Sequence, residues 1–282
     1  MLAGKCKRVD LWFLRLRSYF CNLQFSEIDS RMTELSNNAP RIAIPMPHSG
    51  DREYAERALP QYENAVRSAG GEPVRIDFTQ SLQEVNQTLA TCDAVLLPGS
   101  RADVDPAKYH AARHPKTAEV DVKRDGVDHL LLEDAYRARK PVLAICYGLQ
   151  SLNVHCGGSL VQHIESAVKH SSGRTVPDAH AVVIEPGSRL AEIVAAHDST
   201  PFRVNSSHHQ SADVSGDGLR IVARSPEDGI IEALEGTAPD HFVLAVQWHP
   251  ERSVTDERPE LSDSAQAIFR AFIDAARTKR KF

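Results

Sequence analysis

Pro141-Val142-Leu143-Ala144-Ile145-Cys146-Tyr147-Gly148-Leu149-Gln150 is the stretch on which the reading of this chain turns. Its first five residues form an uninterrupted apolar run, the pattern of a parallel strand covered on both faces. A cysteine ends the run, a glycine follows two residues later, and a helical pattern begins at once. That order predicts a tight strand-to-helix turn lifting the Cys146 sulfur out of the top of a sheet, the sulfur version of a nucleophile elbow. Ala144 and Gly148 are small enough to let the backbone bend closely. The N-terminus of the following helix would lie beside the sulfur, which predicts a lowered thiol pKa. The plainer alternative is a buried core thiol, the commoner fate of cysteine.

Outward from this stretch, strand-like and helix-like patterns alternate. Toward the N-terminus lie a β run at Ile42-Ala43-Ile44, a helix from about Arg52 to Ala69 stopped by Gly70-Gly71, and a period-two stretch over Val74–Phe78. A short helix around Leu82–Leu89 precedes the strand Ala94–Leu97, and a helix is expected over Gly126–Lys140 after a polar, Asp-rich loop. Repetition of this kind predicts an open, doubly wound α/β sheet, mostly parallel. Beyond residue 180 the texture changes to short strands (Ala181–Ile184, Phe202–Val204, Leu219–Ala223, Ile230–Leu234, Val243–Trp248) separated by turns such as Asp217-Gly218 and Asp228-Gly229. These read as antiparallel additions to the same sheet, and Ser262–Thr278 as a closing amphipathic helix. One domain over residues 41–282 is expected, after an extension over residues 1–40.

A second signal stands roughly a hundred residues after Cys146, in Val246-Gln247-Trp248-His249-Pro250-Glu251. Residues i and i+2 of an extended chain point to one side, and a residue before proline is pushed toward the β region. His249 and Glu251 are therefore expected side by side, the carboxylate orienting the imidazole as a base requires. A surface turn is the alternative, less plausible with a cysteine elbow in the same chain. Leu97-Pro98-Gly99-Ser100 adds a glycine turn after a central strand, where backbone N–H groups could join that of Tyr147 around an oxyanion. Alone it would read as an ordinary turn.

These pieces, with Val204-Asn205-Ser206-Ser207-His208-His209-Gln210, resemble the class I glutamine amidotransferase superfamily, and more closely its stand-alone γ-glutamyl hydrolase branch of the peptidase C26 type. The resemblance runs from about Arg41 to Ala276 and implies a flavodoxin-like sheet. It implies Cys146 as nucleophile, His249 as base and Glu251 as its orienting acid. Gly99, Ser100 and Tyr147 would serve the oxyanion, and Gln150, Ser207, His208 and His209 would lie at the glutamyl end of the substrate. The implied activity is hydrolysis of a γ-glutamyl amide, with γ-glutamyl-γ-aminobutyrate from polyamine or putrescine breakdown as the leading substrate, and no metal or organic cofactor. A glutaminase subunit feeding a separate synthetase is one rival; a non-enzymatic binding protein on this fold, with no reason to keep all three triad positions, is another. The branch commonly places Arg after its Cys where this chain has Tyr147, which leaves the leaving amine open.

Composition agrees with this reading. The chain has 282 residues, 41% hydrophobic and 25% charged, with a formal net charge of −5 and no long basic stripe. Nucleic acid is therefore not an expected partner. The expected partner is a small-molecule substrate, and assembly of copies of the chain is left open. Five cysteines (Cys6, Cys21, Cys92, Cys146, Cys156) without paired spacing suit a reducing, cytoplasmic compartment. No apolar run approaches the roughly 20 residues of a membrane span. Arg15 and Arg17 interrupt the apolar residues near the N-terminus, so that segment reads as a poorly ordered extension, with Met32 as an alternative start. His155, Cys156, His163 and His170 invite a zinc reading, but their spacing matches no tetrahedral pattern. Asp121, Arg124 and Asp125 read as a solvated charged loop.

Overall fold

The computed structural model describes residues 39–196 and 200–280. The expected extension, Cys6 and Cys21 included, lies outside them except for Ala39 and Pro40.

Among the described residues nine strands form one sheet: β1 (Arg41–Pro45), β2 (Glu72–Ile76), β3 (Ala94–Leu97), β4 (Val142–Ile145), β6 (His180–Ile184), β7 (Phe202–Val204), β9 (Leu219–Arg224), β10 (Ile231–Gly236) and β11 (Val243–Val246). The spatial order is β2-β1-β3-β4-β11-β10-β9-β6-β7. The first five in that order are parallel, as the βαβ alternation predicts, and β10, β9, β6 and β7 extend the sheet antiparallel. Two short strands, β5 (Leu160–Val161) and β8 (Ser211–Ala212), pair separately.

Helices cover both faces. Successive side chains of a strand point to opposite sides, and the central strands divide accordingly. Ile42, Ile44, Leu96, Leu143, Ile145, Leu244 and Val246 pack with Leu59, Tyr62 and Val66 of α1 (Arg52–Ser68) and Phe269, Phe272 and Ile273 of α6 (Pro259–Lys279). Ala43, Val95, Leu97, Val142, Ala144 and Ala245 pack on the other face with α2 (Leu82–Ala90), α3 (Val122–Ala138) and α4 (Tyr147–His155). Double coverage is why β3, β4 and β11 read as continuous apolar runs. A short α5 (Arg189–Ile193) follows β6 and joins the first layer.

Helix α3 begins four residues before its expected start, and this corrects the reading of Asp121, Arg124 and Asp125 as a solvated loop. Asp121 caps the helix, accepting from the Arg124 N–H at 3.1 Å, and is itself held by Ser49. Arg124 is fully buried. It pairs with Asp128 at 2.7 Å and donates to the carbonyls of Pro47 at 2.9 Å and Pro98 at 2.7 Å. It therefore ties together the loops that leave β1 and β3. Only Asp125 stays near the surface, paired with Lys108 at 2.6 Å.

Candidate active site

Strand β4 delivers Cys146 into a backbone conformation with φ 55° and ψ −107°. Positive φ on a non-glycine residue costs about 1–3 kcal/mol and persists only where the surroundings enforce it. Here the Cys146 N–H donates to the Val246 carbonyl at 2.8 Å, and the Cys146 carbonyl accepts from the Gln150 N–H at 3.2 Å, opening α4. Gly148 is demanded by this turn. A Cβ there would lie 2.3 Å from the Leu97 carbonyl oxygen, so only glycine lets α4 start against β3.

His249 follows β11 and begins a tight 3-10 turn over Pro250–Arg252. Its Nδ1 lies 2.8 Å from Glu251 Oε1, and both residues are buried. The pair forms, but the extended backbone expected between them does not. Proline is pre-set for the first helical position, and the Arg252 N–H closes the turn on the His249 carbonyl at 3.2 Å. The turn, rather than strand alternation, brings carboxylate and imidazole together.

Gly99 shows how close the groups are. A Cβ added there would stand 2.9 Å from His249 Cε1 and 3.6 Å from Cys146 Cβ, so glycine leaves the space where these side chains face each other. The Gly99 N–H donates to Tyr62 Oη at 3.0 Å, and Oη lies 3.5 Å from His249 Nδ1. That N–H is thus already engaged, so of the three N–H groups expected at an oxyanion only those of Ser100 and Tyr147 remain candidates.

Burial sets the protonation states. It pushes the Cys146 thiol up to about 12, against the opposing charge of Arg252 and the nearby Tyr147 N–H. The lowered thiol pKa expected from the helix N-terminus is therefore outweighed by desolvation. Burial likewise brings His249 down to about 4, with Arg252 acting the same way and Glu251 against. Burial alone would raise the Glu251 carboxyl, but the charge and hydrogen bond of His249, with Arg252, hold it below its ordinary value. The resulting state is an ionised Glu251 accepting from Nδ1–H of a neutral His249, whose Nε2 is free to take a proton from a thiol.

The other expected site residues divide. Asn205, in the loop after β7, accepts from the His249 N–H at 3.0 Å and donates to the His249 carbonyl at 2.8 Å and to Ser253 Oγ at 3.1 Å, clamping the His249 backbone. Ser207 Oγ accepts from Arg252 at 2.8 Å, and Arg252 lies 3.5 Å from Glu251. Ser100 turns its Oγ back to the Ala102 N–H at 3.2 Å. Gln150 is buried, donating to the Gln210 carbonyl and to Gln247. His209 reaches Asp103 at 3.1 Å. His208 is turned toward Glu232 of β10 instead. The Tyr147 side chain is buried beneath the Arg124 guanidinium, 5.0 Å from its ring centre, so only the backbone of Tyr147 is available to the site. Tyr62 and Arg252 carry no signal in the sequence that marks them for the site. Tyr62 shares an apolar helix face with Leu59 and Val66 and reads there as core, and Arg252 has nothing beyond its nearness to Glu251.

A doubly wound sheet with a strained cysteine at a strand-to-helix turn and a His–Glu pair at the end of the next parallel strand is the arrangement of a glutamine amidotransferase-like hydrolase. The peptidase C26 model matches residues 26–251, and the chain belongs to that family. It is 39% identical over 219 residues to a protein of Mycobacterium tuberculosis provisionally named a glutamine amidotransferase, a match taking in 76% of this chain and 66% of that one. It is 33% identical over 232 residues to the γ-glutamyl-γ-aminobutyrate hydrolase PuuD of Escherichia coli K12, covering 78% of this chain and 88% of the relative. The crystal structure of a Thermoplasma acidophilum protein, provisionally named as a GMP synthase subunit, shares the fold with a TM-score of 0.59 at 17% identity, over 86% of this chain and 96% of that one. No helix among the described residues is long and apolar enough to cross a membrane.

Proposed function

We propose that the chain hydrolyses γ-glutamyl amides of small amines, γ-glutamyl-γ-aminobutyrate first among them, with Cys146, His249 and Glu251 as the catalytic triad. The observation that carries this reading is the strained Cys146 turn beside a neutral imidazole whose Nδ1 is held by Glu251 at 2.8 Å. As the γ-carbonyl carbon approaches, His249 Nε2 takes the thiol proton and the sulfur bonds to that carbon. The oxyanion meets the N–H groups of Ser100 and Tyr147. His249 then gives its proton to the departing amine, leaving a γ-glutamyl thioester. Water attacks the thioester with His249 again as base, and glutamate leaves as the sulfur recovers its proton.

The named relatives that are 33–34% identical over 88% of their own length support the substrate. The 39% identity to a protein with an amidotransferase name supports a second reading, in which glutamine is the substrate and the ammonia serves a partner. Glutamate release from γ-glutamyl-γ-aminobutyrate, glutamine and γ-glutamyl-polyglutamate separates the two. Fast cleavage of the first, absent in Cys146→Ala, is expected. A preference for glutamine would move the function to ammonia supply, and an undiminished rate in Cys146→Ala would remove the mechanism.

A further inference from the structure

Four buried side chains from four separate segments meet in the antiparallel half of the sheet. His180 stands on β6, Glu232 on β10, His170 in the loop before β6 and His208 in the loop after β7. None is more than 4% exposed. Each imidazole has one nitrogen committed to an acceptor outside the cluster. His170 Nε2 lies 2.8 Å from Asp228, His180 Nδ1 lies 3.0 Å from the Ala181 carbonyl, and His208 Nδ1 lies 2.9 Å from the Gln210 carbonyl. Since those partners only accept, the ring nitrogens facing them carry the hydrogens. In the neutral rings the opposite nitrogens present lone pairs, and all three point at Glu232 Oε1, at 3.2 Å from His170 and 3.5 Å from His180 and His208.

None of these inward nitrogens, and neither Glu232 oxygen, has a hydrogen-bond partner among the described residues. Lone pairs aimed at a carboxylate in a dry interior repel unless positive charge lies between them. A proton on one ring bridges one pair, whereas a single cation meets all four atoms.

We propose that His170, His180, His208 and Glu232 form a closed site for one divalent transition-metal ion, zinc foremost. Three imidazoles and a carboxylate are zinc donors, and bonds of about 2.0–2.1 Å to a tetrahedral ion set donor atoms roughly 3.4 Å apart. The separations from Glu232 Oε1 already match that spacing, and all four donors lie within 4.8 Å of one another. The supporting contacts are those of a metal site as well. Asp228 orients His170 and is itself held by Ser166 Oγ at 2.6 Å, the carboxylate–histidine arrangement common behind metal ligands. With neutral imidazoles, the two carboxylates of Glu232 and Asp228 balance a divalent charge. Four protein donors leave no open position, so the ion is structural. It fastens the antiparallel strands and the loop that carries Asn205.

The test uses the full chain without a polyhistidine tag, stripped by chelator and titrated with zinc alone, with bound metal counted after desalting. One tight equivalent per chain and a raised Tm are expected. His180→Ala and Glu232→Gln should lose that equivalent. His129→Ala and Cys146→Ala should keep it, which separates this cluster from the more exposed trio His129, Glu133 and His155 and from the thiol. Absence of tight zinc in a folded, stripped wild-type chain overturns the proposal, as does an equivalent that survives in His180→Ala. Should those variants fail to fold, cobalt loading of the wild-type chain decides. Intense d–d absorption without a thiolate band is expected of this four-coordinate nitrogen–oxygen site, and a weak octahedral spectrum would overturn it.

Discussion

The parallel and antiparallel halves of the sheet treat polar groups in opposite ways. Strands β3, β4 and β11 are apolar and buried throughout, and the groups proposed to react stand just past the ends of β4 and β11, on Cys146 and His249. Strand β10, their antiparallel neighbour, carries two buried carboxylates within its length. Glu232 faces the three histidines, and Glu235 receives the Arg189 and Leu190 N–H groups at the start of α5 and the Arg220 guanidinium. A strand covered by helices on both faces tolerates no charge along its length, so chemistry moves to the strand ends. The antiparallel extension has room for charge where partners surround it. On this comparison the parallel half carries the residues proposed for the reaction and the antiparallel half carries the scaffold that holds its loops.

The largest effect expected is on rate. Glu251→Gln should lower kcat about 10²–10⁴-fold, because an amide neither fixes the imidazole tautomer nor stabilises imidazolium. Its Tm should change little, and a rate near wild type would detach Glu251 from the chemistry. Arg124→Met tests the exception in the parallel half, a buried ion pair. It strands Asp128 and the carbonyls of Pro47 and Pro98, and a loss of about 3–5 kcal/mol in denaturant unfolding is expected. Glu235→Ala should cost about 1–3 kcal/mol by leaving the α5 N–H groups unpaired, with kcat unchanged. A large fall in kcat there would break the division between the halves.

The smallest effect is a displacement along the pH axis. Protonating His249 removes the base, and burial has brought its pKa down to about 4. Activity should therefore persist as pH falls through 6.5, the ordinary imidazole value, and decline only toward about 4. The pH profile of kcat/KM reads this directly, since it reports groups of the free enzyme. A decline centred near 6.5 would mean that the imidazole is solvated.

Both faces of the parallel half and the backbone positions of Cys146, His249 and Glu251 are legible in the sequence. Continuous apolar runs mark β3 and β4, Gly148 marks the close turn after Cys146, and Pro250 marks a constrained step between His249 and Glu251. Each is a local signal, carried by residues within a few positions of one another. The 3-10 turn at Pro250 reads as extended chain because proline suits both, and strand β11 ends earlier, at Val246, than its apolar pattern suggests. Arg124 reads as solvated because charge in a polar stretch usually means solvent, and nothing nearby marks the Pro47 and Pro98 carbonyls as its partners.

By itself, then, the sequence determined the class of sheet, the elbow and the identity of nucleophile, base and orienting acid proposed for it, because those depend on backbone geometry over short spans. Only the tertiary structure decided that burial, not the helix N-terminus, governs the Cys146 thiol, that Tyr62 takes the Gly99 N–H, and that His170, His180 and His208 converge on Glu232. Strand order in space, β11-β10-β9-β6-β7, brings those last residues together from segments far apart in the chain. Burial and strand order are properties of how distant segments pack, and no local spacing encodes them.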